Sequence, residues 1–219
     1  MKAKAFLAVF LLLPFSLWAQ NGGVGGPSAV DAGPYGDALA EYRAGNFQAA
    51  VAICEKEIAQ DVSNIEAYVV MGWSLLKLGR YDEARTYAQN GRRLSYYDVR
   101  TIEILGEASY FQGRNAEALA FFQEYIGRSP DGSRIDVVYY YIGEIFIRQG
   151  RFRHADISLS TALHYVPLNA AWWTRLGYAR ERAGETAEAL QAYEKALGLD
   201  SRLADARRGI DRIRASLSR

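Results

Sequence analysis

The chain has 219 residues, half of them hydrophobic, with 26 Lys and Arg against 25 Asp and Glu, for a formal charge of +1. So even a balance excludes the global field that draws a protein to nucleic acid or to an anionic membrane, and leaves recognition to local features. A lone cysteine, Cys54, excludes an intramolecular disulfide, and with no His or Lys near it in a nucleophile pattern it reads as a small buried apolar residue.

In chain order, Lys2 and Lys4 precede an apolar run from Ala5 to Leu17 that is broken only by Pro14 and Ser16, and Ala19 offers a small residue before Gln20. Residues 1–19 therefore read as a secretory signal peptide, the run being shorter than the roughly 20 apolar residues a spanning helix needs. The expectation is an exported protein, periplasmic or extracellular, with no stable membrane span after cleavage. Residues 20–33, rich in Gly and ending just before Pro34, read as a flexible tether.

Beyond the tether a pattern recurs. Gly72, Gly106, Gly143 and Gly177 are separated by 34, 37 and 34 residues. Seven residues after each stands a second glycine, Gly79, Gly113, Gly150 or Gly184, and five further on an alanine, Ala84, Ala118, Ala155 or Ala189. The second glycine ends a helix and turns the chain. The first glycine and the alanine are small where two helices cross, and apolar residues at helical spacing, such as Tyr68, Met71, Leu75 and Leu78, lie between them. A pair this small cannot bury its apolar face alone, so the pairs must stack.

This triplet resembles the tetratricopeptide repeat, whose pattern carries Trp, Leu, Gly and Tyr on the first helix and Ala, Phe, Ala and Pro on the second. Unit 65–98 matches at Tyr68, Met71, Gly72, Leu75 and Ala84, and unit 99–132 at Ile102, Leu105, Gly106, Ala118, Phe122 and Pro130. Unit 136–169, after an insertion at Ser133-Arg134-Ile135, matches at Tyr139, Ile142, Gly143, Phe146, Ala155, Leu159, Ala162 and Pro167. Unit 170–203 matches at Trp173, Leu176, Gly177, Ala189, Tyr193 and Ala196. A weaker unit at 31–64 keeps Gly45, Phe47 and Ala50, has Cys54 at the Phe position, and is expected to begin its first helix near Tyr35. The resemblance implies an all-α, right-handed α-solenoid of about five helix-turn-helix units over 34–203. Residues 204–219 follow as a capping helix, with Leu203, Ala206, Ile210, Ile213 and Leu217 along one stripe and Arg207, Arg208, Asp211, Arg212 and Arg214 toward solvent. The cap is also a place where the chain could self-associate or meet an acidic partner.

Nothing at useful spacing suggests catalysis, a cofactor or a metal. His154 and His164 lie ten residues apart on one helix, about 15 Å along its axis, and the glycines stand singly rather than in a phosphate loop. The expectation is a non-catalytic protein.

In the family resembled, first helices line a concave groove. The positions this implies are Val69 and Trp73, Glu103 and Glu107, Tyr140 and Glu144, and Thr174 and Tyr178, with Glu66, Val70, Arg100, Ile104, Val137, Tyr141, Ala171 and Arg175 beside them. Members that clamp a C-terminal carboxylate use Lys, Asn and Arg there, so the Trp, Tyr and Glu found here argue against that function. One reading makes Trp73, Tyr140 and Tyr178 anchors for an extended peptide, with Glu103, Glu107 and Glu144 selecting a basic feature. The other makes the rings packing between units and the glutamates solvated helix-face pairs. Overall the expectation is a protein-interaction scaffold in a bacterial envelope that binds a peptide or protein in the groove. The alternative is a carrier of a small amphipathic ligand associated with a membrane transporter.

Overall fold

Five glycines set the frame. Gly45, Gly79, Gly113, Gly150 and Gly184 have φ between +70° and +85°, the left-handed region that a residue without Cβ enters at little cost. Each ends the first helix of a pair. In the computed structural model, which describes residues 36–218, the pairs are α1 (Ala38–Arg43) with α2 (Phe47–Gln60), α3 (Ile65–Lys77) with α4 (Tyr81–Leu94), and α5 (Val99–Phe111) with α6 (Asn115–Arg128). They continue with α7 (Ile135–Arg148) and α8 (Phe152–Tyr165), then α9 (Ala170–Ala183) and α10 (Thr186–Leu199), and α11 (Ala204–Leu217) closes the series. The chain is thus an all-α solenoid of five helix pairs with a terminal helix. The signal peptide and tether expected at 1–33 lie outside the described residues.

The small residues of the triplet work as expected. Ala84, Ala118, Ala155 and Ala189 are fully buried. A methyl group on Gly106, Gly143 or Gly177 would lie within 3 Å of Phe122, Leu159 or Tyr193 respectively, each on the second helix of the same pair. In the pair α3–α4 the corresponding large side chain is missing, because that position is Ala88. There Gly72 is filled instead by Ile104 of α5.

First helices of successive pairs touch along the array, α1 on α3, α3 on α5, α5 on α7, α7 on α9 and α9 on α11. Second helices stand farther apart and are bridged by long side chains: Arg85 of α4 reaches Glu117 of α6, and Arg92 reaches Glu124 at 2.8 Å. Close backbones are thus sealed by packing, and wider gaps are crossed by charge.

Two details differ from the sequence expectation. The first helix begins at Ala38, capped by the Asp37 carboxylate that accepts from Ala40 N–H, rather than near Tyr35. On α11, Ala206, Ile210 and Ile213 are buried with Gly209, but Leu217 is 69% exposed. Among the described residues no helix covers that last turn, so the buried stripe ends at Ile213. Cys54 is buried as expected, and burial pushes its thiol up to about 12. No helix of the described residues is long and apolar enough to cross a membrane.

Candidate functional site

The first helices begin on short polar caps. Asn64, Asp98 and Asn169 each accept a backbone N–H in the first turn of α3, α5 and α9. Helix α7 breaks the rule, since its N-cap is Arg134, which makes no side-chain cap bond. An uncapped first turn costs about 1 kcal/mol. The Arg134 guanidinium is used elsewhere: Nε donates to Glu103 Oε1 at 2.8 Å and Nη2 donates to Glu107 Oε1 at 2.7 Å.

Those carboxylates are 1% and 4% exposed. Glu103 Oε2 accepts from the indole Nε1 of Trp73 at 2.9 Å, and Glu107 Oε2 accepts from the Tyr141 hydroxyl at 3.3 Å. Burial first, then the neighbouring Glu103 carboxylate, pushes Glu107 up to about 8 against the opposing pull of Arg134. Glu107 therefore holds a proton more tightly than an exposed carboxyl does. Burial disfavours the charge on Arg134, but the two carboxylates outweigh it and hold the guanidinium above its usual range.

In front of this cluster lies a cavity of about 460 Å³ whose walls include Trp73, Tyr97, Asp98, Arg100, Glu103, Tyr125 and Arg134. Trp73, half-buried, stacks on Tyr42 of the preceding first helix at 5.8 Å while Glu103 of the following one holds its indole. Its ring is fixed from both sides, with one face of the site preorganised. Tyr97 is 81% exposed at the rim. Arg100 bridges Asp98 and Glu66, each at 2.6 Å.

The remaining candidates fall at the next junctions. Glu144 accepts two bonds from Arg175, at 2.6 and 2.8 Å. Tyr140 stacks on Trp172 at 4.9 Å with the planes 11° apart. Tyr178 receives a hydrogen bond from Arg182 and lines a second cavity of about 240 Å³ with Thr174, Arg175, Tyr193, Asp205 and Arg212. Glu181 pairs with Arg212 at 2.7 Å.

These placements revise the sequence reading. Val69 is fully buried and belongs to the core rather than to a groove. Glu103, Glu107 and Glu144 are neither free to meet a partner unaided nor solvated: arginines of the same chain already hold them, because a buried carboxylate must be paired. Trp73, Tyr140 and Tyr178 remain half-buried on the first-helix face, and the first two also bridge neighbouring units. Sequence reasoning missed Arg134 because it lies in the insertion, outside any repeat position. One signal was present: Glu103 to Arg134, Glu144 to Arg175 and Glu181 to Arg212 are all separated by 31 residues.

Comparison with known proteins agrees with this architecture. A family model described as tetratricopeptide repeat matches residues 69–133 and 140–207. The DnaJ homolog subfamily C member 7 homolog of Schizosaccharomyces pombe is 27% identical over 181 residues, 74% of this chain; the chain spans only 38% of that relative's length. Among solved structures, MamA superposes with a TM-score of 0.63 at 20% identity, over 76% of this chain and 96% of MamA. YrrB, described as a TPR protein with an unusual peptide-binding site, superposes with a TM-score of 0.63 at 18% identity, over 83% of this chain and 92% of its own. The matched model covers both halves of the array, and with the glycine turns, the buried alanines and the five stacked pairs it shows that the chain belongs to the tetratricopeptide-repeat family.

Proposed function

We propose that this protein is a non-catalytic interaction scaffold that holds an extended peptide or a segment of a partner protein against its first-helix face, in the envelope of a bacterial cell after export. The observation that carries the reading is the preorganised Trp73 beside a 460 Å³ cavity, with Tyr97 at the rim and Tyr140 and Tyr178 further along the same set of helices. Rings fixed before binding give contact area at small entropic cost, and a cavity of that size is within the range of recognition pockets. Family membership and the peptide-binding description of YrrB support the same reading.

Proximity labelling in cells with the full chain, compared with the double variant Trp73→Ala, Tyr97→Ala, tests the proposal. Proteins labelled by the wild type and lost with the variant are expected; an unchanged set would place the interaction elsewhere on the molecule. Cell fractionation of the tagged full chain checks export, and recovery in the cytoplasm alone would refute that part.

A further inference from the structure

The second cavity differs from the first in the sign of its walls. Around the first stand two guanidinium groups and two carboxylates; around the second stand Arg175 and Arg212 against Asp205 alone, with Thr174, Tyr178 and Tyr193 completing the wall. Asp205 is itself paired with Arg208 of the same helix. Arg175 and Arg212 each donate through Nε and Nη2 to a glutamate, Glu144 or Glu181, so each guanidinium is locked in place with Nη1 left over. In both pairs the cation is the outer member, because the arginine side chains are 37% and 51% exposed and their glutamates only 10% and 18%. An approaching ligand therefore meets guanidinium first. The Tyr178 hydroxyl accepts from Arg182 at 2.9 Å, which keeps its own proton for another acceptor, and Arg182 rests over the Phe152 ring rather than on a carboxylate.

We propose that this cavity receives one acidic side chain, aspartate or glutamate, of the segment held on the first-helix face, its carboxylate accepting from Arg175 Nη1, Arg212 Nη1 and the Tyr178 hydroxyl. The inference rests on the peptide-holding reading above and gives that segment a charge and a position, at the junction of α9 with α10 and α11. A volume of about 240 Å³ is below the roughly 300–1,000 Å³ of small-molecule sites and suits a single side chain. Guanidinium forks match a carboxylate in shape, and forks already fixed by glutamates lose little freedom on binding. The glutamates thus act on the partner indirectly. They hold the arginines outward, so the face selects an acid where the glutamates of the sequence pointed to a base.

The test uses the full chain and pools of twelve-residue peptides, acetylated and amidated, with the central residue fixed as Glu, Gln or Lys and all other positions drawn from uncharged residues. A further pool has Gln at the centre and a free C-terminal carboxylate. The Glu pool should bind about tenfold tighter than the amidated Gln pool, as expected of one charge-assisted contact, with the Lys pool weakest, and the preference for Glu should shrink as salt rises. Arg212→Gln should bind the Gln pool as before and lose most of the Glu preference. Tyr178→Phe, which leaves both ion pairs intact, should weaken the preference about threefold, the effect of one hydrogen bond. Equal binding of the Glu and Gln pools, or a Glu preference unmoved by either variant, overturns this inference and leaves the peptide-holding reading standing. A free C-terminal carboxylate that binds as tightly as the central Glu overturns the side-chain assignment. No binding to any pool overturns both the inference and the reading beneath it.

Discussion

The junction between α5 and α7 and the junction between α7 and α9 are built on the same register, yet they do different things with charge. At the second, Glu144 meets Arg175 one to one, and the place corresponding to Glu103 is taken by Tyr140, which stacks on Trp172. At the first, the place corresponding to Arg175 is taken by Tyr141, a weaker donor at 3.3 Å, and the guanidinium comes from the insertion before α7 and faces two carboxylates. Two residue differences at equivalent positions, together with the inserted Arg134, turn a one-to-one ion pair into two buried carboxylates held by one guanidinium. Repeat register fixes where side chains stand; the stoichiometry of acids to bases decides what they can do.

The largest effect is expected where two acids depend on one base. Arg134→Ala should destabilise the protein by about 3 kcal/mol at neutral pH, because it strands buried carboxylates, as read by urea or thermal unfolding. Arg175→Ala should cost roughly half as much, since it leaves one carboxylate that can take up a proton. Equal losses would show that the second carboxylate contributes nothing.

The pH dependence contributed by Glu107 on α5 and by Glu181 on α9 should have opposite sign. Glu107 is raised in the folded state to about 8, so the folded protein binds more protons than the unfolded chain, and this contribution to stability is full in acid and is lost as pH rises toward 8. Glu181 is held low by Arg212, with burial opposing and the Tyr193 hydroxyl assisting, so its contribution is present above the unfolded carboxylate range and is lost as pH falls through its lowered value. Glu107→Gln should therefore abolish the loss of stability between acid and pH 8 and be more stable than wild type at pH 8, by about 1–2 kcal/mol. A wild-type stability flat over that range would mean that Glu107 is not protonated in the folded protein.

The smallest effect tests the weak donor. Tyr141→Phe should cost about 0.5–1 kcal/mol and nudge Glu107 further upward, whereas a loss much larger than that would reveal Tyr141 as the principal partner rather than Arg134.

Much of the fold was legible because its requirements are local. A positive φ admits glycine almost alone, and a crossing under a ring admits no Cβ, so Gly79 and Gly106 announce themselves in any sequence that needs them. The candidate site was only half legible. Counting positions put Trp73, Glu103 and Glu107 on the first-helix face, but counting cannot distinguish Val69, sealed by neighbours, from Trp73, open on one side. Nor could it find Arg134, whose importance comes from three residues that break the period. Leu217 failed for a related reason, since an apolar stripe implies burial only where another surface exists to cover it.

The missing large side chain at Ala88 has a consequence for the order in which the molecule can form. Phe122, Leu159 and Tyr193 let their own hairpins close before any neighbour arrives, whereas the hairpin of residues 65–98 is completed by Ile104, which belongs to the next one. The hairpin of residues 65–98 thus packs over Gly91 with its own Tyr68 and Ile65 but leaves Gly72 uncovered during synthesis. As the chain emerges from the ribosome, this segment must wait for α5, and a nascent fragment ending at residue 98 would expose Gly72 and its surroundings to chaperones and proteases.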